Sequence, residues 1–301
     1  MGHIFINSRE SRLRAGWRIF LFLLLFLGFS TLIFVIKPLL GDITKREFLE
    51  NYSVLIVLVL ATGASIAVPI ARKLFDKKTF VSLGLKWNKK ALYDLLFGFF
   101  LRGFMAGLIC LALSLFGFIS FEGFNEFQSY KPEGAFDFVQ FMGILSLASI
   151  AILLVEHIFV GYWEELVFRG YLFQNMMDGM GNKIAIVISC LIYGLIHAMN
   201  PNAGLLSSLI IVLFGFMRIY GYLLTNMLWL SMGMHMGWNF FQGPVFGFHA
   251  SGHEMVTVVK QADLGPAWLS GGDFGPEGSL LIIPVVFLAL WIMRLYSRRQ
   301  E

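Results

Sequence analysis

Long apolar runs dominate this chain, and short polar stretches separate them. A helix needs about 20 mostly apolar residues to cross the hydrocarbon core of a bilayer. Because a spanning segment must satisfy its own backbone hydrogen bonds, these runs predict an all-α integral membrane protein, a polytopic bundle of about eight transmembrane helices. The candidate spans lie near residues 17–40, 52–71, 92–119, 140–177, 183–199, 204–223, 225–242 and 279–297.

Two of these runs have more than one interpretation. The run at 140–177 is too long for one straight crossing, so it predicts either one long tilted helix or two pieces broken near Gly161. The first run follows Arg9, Arg12, Arg14 and Arg18, which is the charge order of a signal peptide. No small-residue cleavage site follows it, so we expect a retained first transmembrane helix.

Composition supports the bilayer as the solvent of this chain. Hydrophobic residues make up 57% and charged residues 14%, whereas soluble domains carry about 25% charged residues. The net charge of +4 comes from basic residues that flank apolar runs, and no nucleic-acid-binding motif accompanies them. We therefore expect a lipid bilayer and no nucleic acid as partners. Cys110 and Cys190 both lie in apolar runs and are expected to be packing residues rather than a disulfide.

The distribution of basic residues predicts the topology. Lysine and arginine are concentrated before the first run, in the 72–91 loop and at the C-terminus, whereas the 120–137 and 243–278 loops hold few. By the positive-inside rule, eight crossings with both termini in the cytoplasm fit this distribution, with the basic 37–50 loop as the exception. No repeat or soluble segment interrupts the pattern, so residues 1–301 are interpreted as a single membrane domain.

Ionisable side chains inside apolar runs are costly and are therefore functional candidates. The fourth run carries Glu164, Glu165 and Arg169. Glu165 and Arg169 are four residues apart, so on a helix they share a face and can pair. Glu164 is rotated by about 100° from Glu165, so one carboxylate can be structural while the other is free to react.

Two later runs supply further polar side chains at a similar depth. His197 lies near the end of the fifth run, and His235 and Asn239 lie four apart on one face of the seventh. With a rise of about 1.5 Å per residue, Glu164 and His197 both lie roughly 20 Å from the turn at 177–182. His235 and Asn239 lie roughly 14–20 Å from the turn near 222–226. The four groups can therefore meet.

Other polar residues have simpler interpretations. Arg102 and Arg218 are expected to be structural partners or to extend towards the interface. Glu156 and His157 either extend the site or pair with one of these arginines, and the structural alternative is favoured. The loop residues His249, His253 and Glu254 are spaced like metal ligands, but the loop around them is rich in Gly and Pro, so a plain loop is favoured.

This set of side chains suits the hydrolysis of an amide without a covalent nucleophile. A carboxylate can take a proton from water while an imidazole orients the water or the leaving group. A second histidine and an asparagine can donate hydrogen bonds to a developing oxyanion. The sequence contains neither HExxH nor GxSxG, and it lacks a paired intramembrane aspartate motif.

The same residues resemble a known family. Glu164-Glu165-Leu-Val-Phe-Arg169, then Tyr193-Gly-Leu-Ile-His197, then His235-Met-Gly-Trp-Asn239 look like the motifs EExxxR, (F/Y)xxxH and HxxxN. These motifs define the CPBP intramembrane proteases, which include the CAAX-prenyl endopeptidases and the bacterial Abi proteins. The resemblance covers residues from about 140 to 242, the expected catalytic core. The opening RAGWRIFLFLLLF also looks like bacterial members, so a bacterial inner or plasma membrane is expected.

The resemblance implies a glutamate-dependent endopeptidase that cuts a membrane protein or peptide. It implies that Glu164 is the general base and His197 its partner. It further implies that His235 and Asn239 form the oxyanion hole.

The resemblance also implies that Glu165 and Arg169 form a supporting pair. No cofactor and no metal are expected. Zinc held by a Glu/His/His set is kept as a lesser alternative.

Three matters stay open at this point. A non-catalytic scaffold or a bacteriocin-immunity protein could bind a peptide in the same cavity. A transporter could use the Glu/His cluster as a proton relay, but the polar residues cluster near one depth instead of crossing the membrane. The substrate is undetermined, since prenylated CAAX tails are usually absent from bacteria.

Overall fold

The computed structural model describes residues 2–7, 10–40, 53–124 and 146–299. Parts of three sequence predictions lie outside these ranges. They are most of the 37–50 loop, most of the 120–137 loop and residues 140–145 of the fourth predicted span. The positive-inside argument for those two loops therefore stays a prediction.

Helices account for most of the described chain. They are α1 (Gly2–Phe5), α2 (Ala15–Ser30), α3 (Leu32–Ile36), α4 (Ser53–Leu74), α5 (Lys89–Leu115), α6 (Ser146–Glu165), α7 (Phe173–Met180), α8 (Asn182–His197), α9 (Leu205–Thr225), α10 (Trp229–Phe240), α11 (Ala267–Ser270) and α12 (Ile282–Arg298). Two π-helical segments, Leu166–Leu172 and Phe241–Val245, follow directly on α6 and α10. Short 3₁₀ turns occupy Lys37–Leu40, Phe80–Leu83, Gly272–Phe274 and Pro276–Gly278.

The fourth predicted span forms an uninterrupted helical segment from residue 146 to residue 180. Its irregularity is the π-helical segment after α6, and Gly161 lies inside α6, where α10 packs closely against it. A Cβ at Gly161 would lie 2.9 Å from the backbone nitrogen of Met236. Of the two alternatives for this run, the structure has the single long helix.

Three of the described helices are long and apolar enough to cross a membrane: α4, α5 and α9. The helices α2 and α8 are also apolar but shorter. The chain is therefore a helical membrane protein by composition and helix length. The total of eight crossings remains a prediction.

Two short antiparallel sheets, which the all-α prediction did not include, accompany the helices. In the first, β1 (Ile6–Asn7) pairs with β2 (Arg12–Leu13). In the second, β3 (Ile119–Phe124) pairs with β4 (Val259–Asp263), with an irregularity between Phe121 and Gly123. The second sheet joins the two loops that contain few basic residues, so it holds α5 close to the long loop before α12.

The core consists of two apolar clusters with α10 contributing to both. Cys190 lies in the first cluster, and Cys110 packs against the second. Both cysteines are free, which agrees with their predicted role as packing residues.

Glycines allow α10 to lie directly against α5. A Cβ at Gly233 would lie 2.0 Å from the carbonyl oxygen of Leu95, and one at Gly237 would lie 2.2 Å from that of Phe99. Small residues of this kind let helix backbones approach closely where lipid provides no hydrophobic driving force. The contact fixes the helix that carries His235 and Asn239.

A buried carboxylate, that of Asp76, ties the N-terminal helices to the segment after α6. Its oxygens accept hydrogen bonds from Arg72 at 2.7 Å, Tyr171 at 3.2 Å, Asn175 at 3.3 Å and Arg18 at 3.4 Å. A buried charge needs donors of this kind to offset its loss of hydration. This network connects α2, α4, the first π-helical segment and α7, and it was not predicted from the sequence.

Candidate active site

The two adjacent glutamates of α6 have different environments. Glu165 is fully buried, whereas the side chain of Glu164 is 15% exposed. The backbone leaves α-helical geometry directly after Glu165, and Arg169 lies in the π-helical segment that follows. Such wider turns are frequent at functional sites. One carboxylate is therefore enclosed, and the other is partly exposed.

Glu165 is the centre of a buried ionic network. Its Oε1 accepts a hydrogen bond from Nη1 of Arg169 at 3.0 Å, and Nη1 of Arg218 lies 3.6 Å away. The same oxygen lies 2.9 Å from Nδ1 of His235. A buried carboxylate is stable only when cations and donors surround it in this way. The network holds α6, the π-helical segment, α9 and α10 together.

His235 lies between the two carboxylates. While Nδ1 faces Glu165, Nε2 lies 3.7 Å from Oε2 of Glu164, beyond hydrogen-bonding distance. A carboxylate that accepts from one ring nitrogen of a histidine fixes the tautomer and the ring orientation. With its proton on Nδ1, His235 turns an unprotonated Nε2 towards Glu164.

Tyr193 connects the fifth predicted span to this site. Its hydroxyl donates to Oε2 of Glu164 at 3.0 Å. The guanidinium carbons of Arg169 and Arg218 lie 4.2 Å and 4.5 Å from the centroid of its ring, within the range of cation–π attraction. From the sequence, Tyr193 is only the first position of the second motif, and no role was predicted for it. The signal was its spacing, four residues before His197.

His197 reaches the glutamates through Tyr193. Its Nδ1 lies 2.9 Å from the carbonyl oxygen of Tyr193, and the two ring centroids are 4.3 Å apart. Asn239 is half-buried one turn after His235, and its side chain has no hydrogen bond to any residue in the described ranges. Direct contacts thus join Glu164, Glu165, Arg169 and His235, whereas His197 and Asn239 make no hydrogen bond or ion pair with these four residues in the described ranges.

The two intramembrane arginines are buried rather than interfacial. Arg218 belongs to the Glu165 network, as described above. Arg102 donates from Nε to the carbonyl oxygen of Met234 at 3.3 Å, and its guanidinium carbon lies 4.1 Å from the ring centroid of Phe214. Neither pairs with Glu156 or His157 in the described part of the chain, and Nδ1 of His157 instead lies 2.6 Å from the carbonyl oxygen of Leu153. The described part of the chain therefore does not contain the arginine pairing suggested for Glu156 and His157, and His157 contacts the backbone of its own helix instead.

The described residues contain no group of three or more His, Cys, Asp or Glu side chains arranged to hold a metal ion. His249, His253 and Glu254, which are spaced like metal ligands in the sequence, therefore form no such group. A plain loop was the favoured interpretation of these residues. In the loop, Nδ1 of His249 lies 3.0 Å from the carbonyl oxygen of Asp273.

Comparison with known proteins identifies the segment that carries the site. Residues 146–241, less than half of the 301-residue chain, match the family described as Type II CAAX prenyl endopeptidase Rce1-like. This segment contains all three motifs. This part of the chain is therefore similar to the CAAX prenyl endopeptidases, the group to which the three motifs pointed. A search of the curated proteins finds no match.

Proposed function

We propose that this protein is an intramembrane endopeptidase in which Glu164 activates water for attack on a peptide bond. The observation that carries the proposal is the position of Glu164, the partly exposed carboxylate beside His235, within a segment that matches prenyl endopeptidases. A carboxylate with a neighbouring imidazole can carry out general-base hydrolysis. The substrate is a membrane-associated protein or peptide, and a peptide with a prenylated CAAX end is the first to test.

The fully buried groups would prepare this site before substrate arrives. Glu165, held by Arg169 and Arg218, fixes His235 through Nδ1. The hydroxyl of Tyr193 holds one oxygen of Glu164 and leaves the other to accept a proton from water. Catalytic groups held in place by surrounding hydrogen bonds lose little free energy to reorganisation during the reaction.

His197 and Asn239 complete the proposed machinery. His197 is the proposed partner of Glu164, to which it is linked through Tyr193. Asn239 supplies amide protons to the oxyanion from one turn beyond His235. For His235 to donate to the oxyanion as well, its Nε2 must carry a proton while Nδ1 donates to Glu165. With a proton on both ring nitrogens, His235 is a cation, and it lies between the carboxylates of Glu164 and Glu165.

The membrane arrangement is part of the proposal. Residues 1–301 form one membrane domain with eight crossings and both termini in the cytoplasm, in a bacterial inner or plasma membrane. The apolar helices α4, α5 and α9 and the basic loops support it. Glu164 acts without a bound metal in this proposal.

An untargeted comparison of peptide termini in membranes tests this function. Cells carry the wild-type protein, Glu164→Gln or, as a matched control, Glu156→Gln, which alters a half-buried glutamate of the same helix. The proposal predicts that some termini are present with the wild type and with Glu156→Gln and absent with Glu164→Gln. Identical termini in all three would overturn it, and a cellular function that Glu164→Gln retains would favour a non-catalytic scaffold.

A further inference from the structure

A second buried glutamate lies outside the segment that matches the family. Glu277 belongs to the loop between β4 and α12 and is 3% exposed. A buried carboxylate is strongly unfavourable unless donors surround it. Three donors do so: Nε1 of Trp238 at 2.8 Å, and the backbone nitrogen and hydroxyl of Ser251 at 2.8 and 2.6 Å. Both oxygens are therefore engaged.

The first of these contacts reaches the helix that carries the third motif. Trp238 directly precedes Asn239 on α10 and is almost fully buried. From another side, the guanidinium carbon of Arg102 lies 4.8 Å from the Trp238 ring centroid, and its Nε donates to the carbonyl oxygen of Met234, next to His235. Because adjacent residues of a helix turn together, a contact that fixes Trp238 also fixes Asn239.

The second contact reaches the end of α8. The carbonyl oxygen of Ser251 accepts a hydrogen bond from Asn200 at 3.0 Å, three residues after His197. Next to it, Gly252 has a φ of +83°, and a Cβ there would lie 1.8 Å from the carbonyl oxygen of Pro201. Only glycine allows this close approach. The loop therefore packs directly on the turn that follows His197.

We propose that Glu277 is a positioning residue of the active site: it locks the 246–281 loop onto the ends of α8 and α10 and so fixes His197 and Asn239 relative to each other. This inference rests on the proposed function for its catalytic consequence. Its structural consequence, the order of the two helix ends, can be measured separately.

Amide hydrogen exchange of the full-length protein in detergent micelles measures that order. The variants are Glu277→Gln and the matched control Glu254→Gln, an exposed glutamate of the same loop. We expect exchange in residues 197–203 and 235–243 to rise at least about tenfold in Glu277→Gln, because the carboxamide presents an N–H₂ group where donors converge. Glu254→Gln should exchange like the wild type.

Cleavage of an internally quenched peptide with a prenylated CAAX end measures the catalytic consequence. At a temperature where every variant is folded, Glu277→Gln should lower kcat by about 10- to 100-fold, with KM changed by less than about twofold. If Glu277→Gln does not fold, Ser251→Ala, which removes only one donor, should show smaller changes in the same direction.

Two results would overturn the inference. One is unaltered exchange at both helix ends in Glu277→Gln. The other is a lower thermal midpoint with kcat unchanged, which would make Glu277 a contributor to stability alone. If the wild type itself cleaves nothing, the proposed function fails for this peptide, and the exchange measurement still decides whether Glu277 orders the two helix ends.

Discussion

Nδ1 of His235 lies 2.9 Å from Oε1 of Glu165, a carboxylate that is fully buried. The roles predicted for these two residues differ: His235 belongs to the oxyanion hole and Glu165 to a supporting pair. Their contact makes the supporting pair a three-residue unit, because the Arg169–Glu165 bond and the Glu165–His235 contact share one oxygen. The orientation of the histidine therefore depends on the glutamate next to the proposed base.

Glu165→Gln should destabilise the protein and inactivate it. The change leaves Arg169 and Arg218 without a buried counter-charge, and breaking a buried ion pair costs about 3–5 kcal/mol. It also replaces the carboxylate that faces Nδ1 of His235 with an uncharged carboxamide, whose N–H₂ group can turn towards the ring and no longer fixes its orientation. Thermal unfolding in detergent measures the first effect, and the cleavage rate below the unfolding transition measures the second. A variant as stable as the wild type would show that the network contributes nothing to the fold.

Tyr193→Phe should lower the cleavage rate while preserving the fold. It removes the hydroxyl that donates to Glu164 but keeps the ring against both guanidiniums, so the free energy of unfolding should change by only about 1.5–3 kcal/mol. Tyr220→Phe, at a half-buried tyrosine of α9, is the matched control. Equal rates for the two variants would remove Tyr193 from the proposed machinery.

Gly233→Ala should destabilise the protein, although alanine is the better helix former. A Cβ at this position would lie 2.0 Å from the carbonyl oxygen of Leu95, so α5 and α10 must separate. A Cβ at Gly28 in α2 would have no neighbouring atom within 4 Å. Gly28→Ala should therefore leave the free energy of unfolding unchanged or raise it by up to about 1 kcal/mol. The thermal midpoint should fall in Gly233→Ala and stay the same or rise in Gly28→Ala. A midpoint that does not fall in Gly233→Ala would argue against close packing of these helices.

Spacing along one helix was the part of the site that the sequence could predict. Glu165 and Arg169 are four residues apart, and their side chains are 3.0 Å apart in the structure. Turn lengths also placed Glu164 and His235 at similar depths, and Nε2 of the histidine lies 3.7 Å from the glutamate. Both inferences needed only the rise and period of a helix.

Contacts between distant segments were beyond the same reasoning. Three of the four donors of Asp76, the pairing of β3 with β4 and the contact of Glu277 with Trp238 each join residues far apart in sequence. The two π-helical segments escaped prediction as well, because apolar periodicity does not distinguish them from α-helix. Glu277 was overlooked because a carboxylate in a loop rich in Gly and Pro looks solvated in sequence.

The rate of peptide cleavage by purified Glu164→Gln tests the central claim most directly. The wild type, Glu164→Gln and Glu156→Gln are compared in detergent micelles with the quenched prenylated peptide, after thermal unfolding has shown that all three are folded. We predict that Glu164→Gln loses at least about 100-fold in kcat, since general-base catalysis contributes about 10²–10⁴-fold, and that Glu156→Gln retains the wild-type rate. Cleavage by folded Glu164→Gln at the wild-type rate would contradict the account.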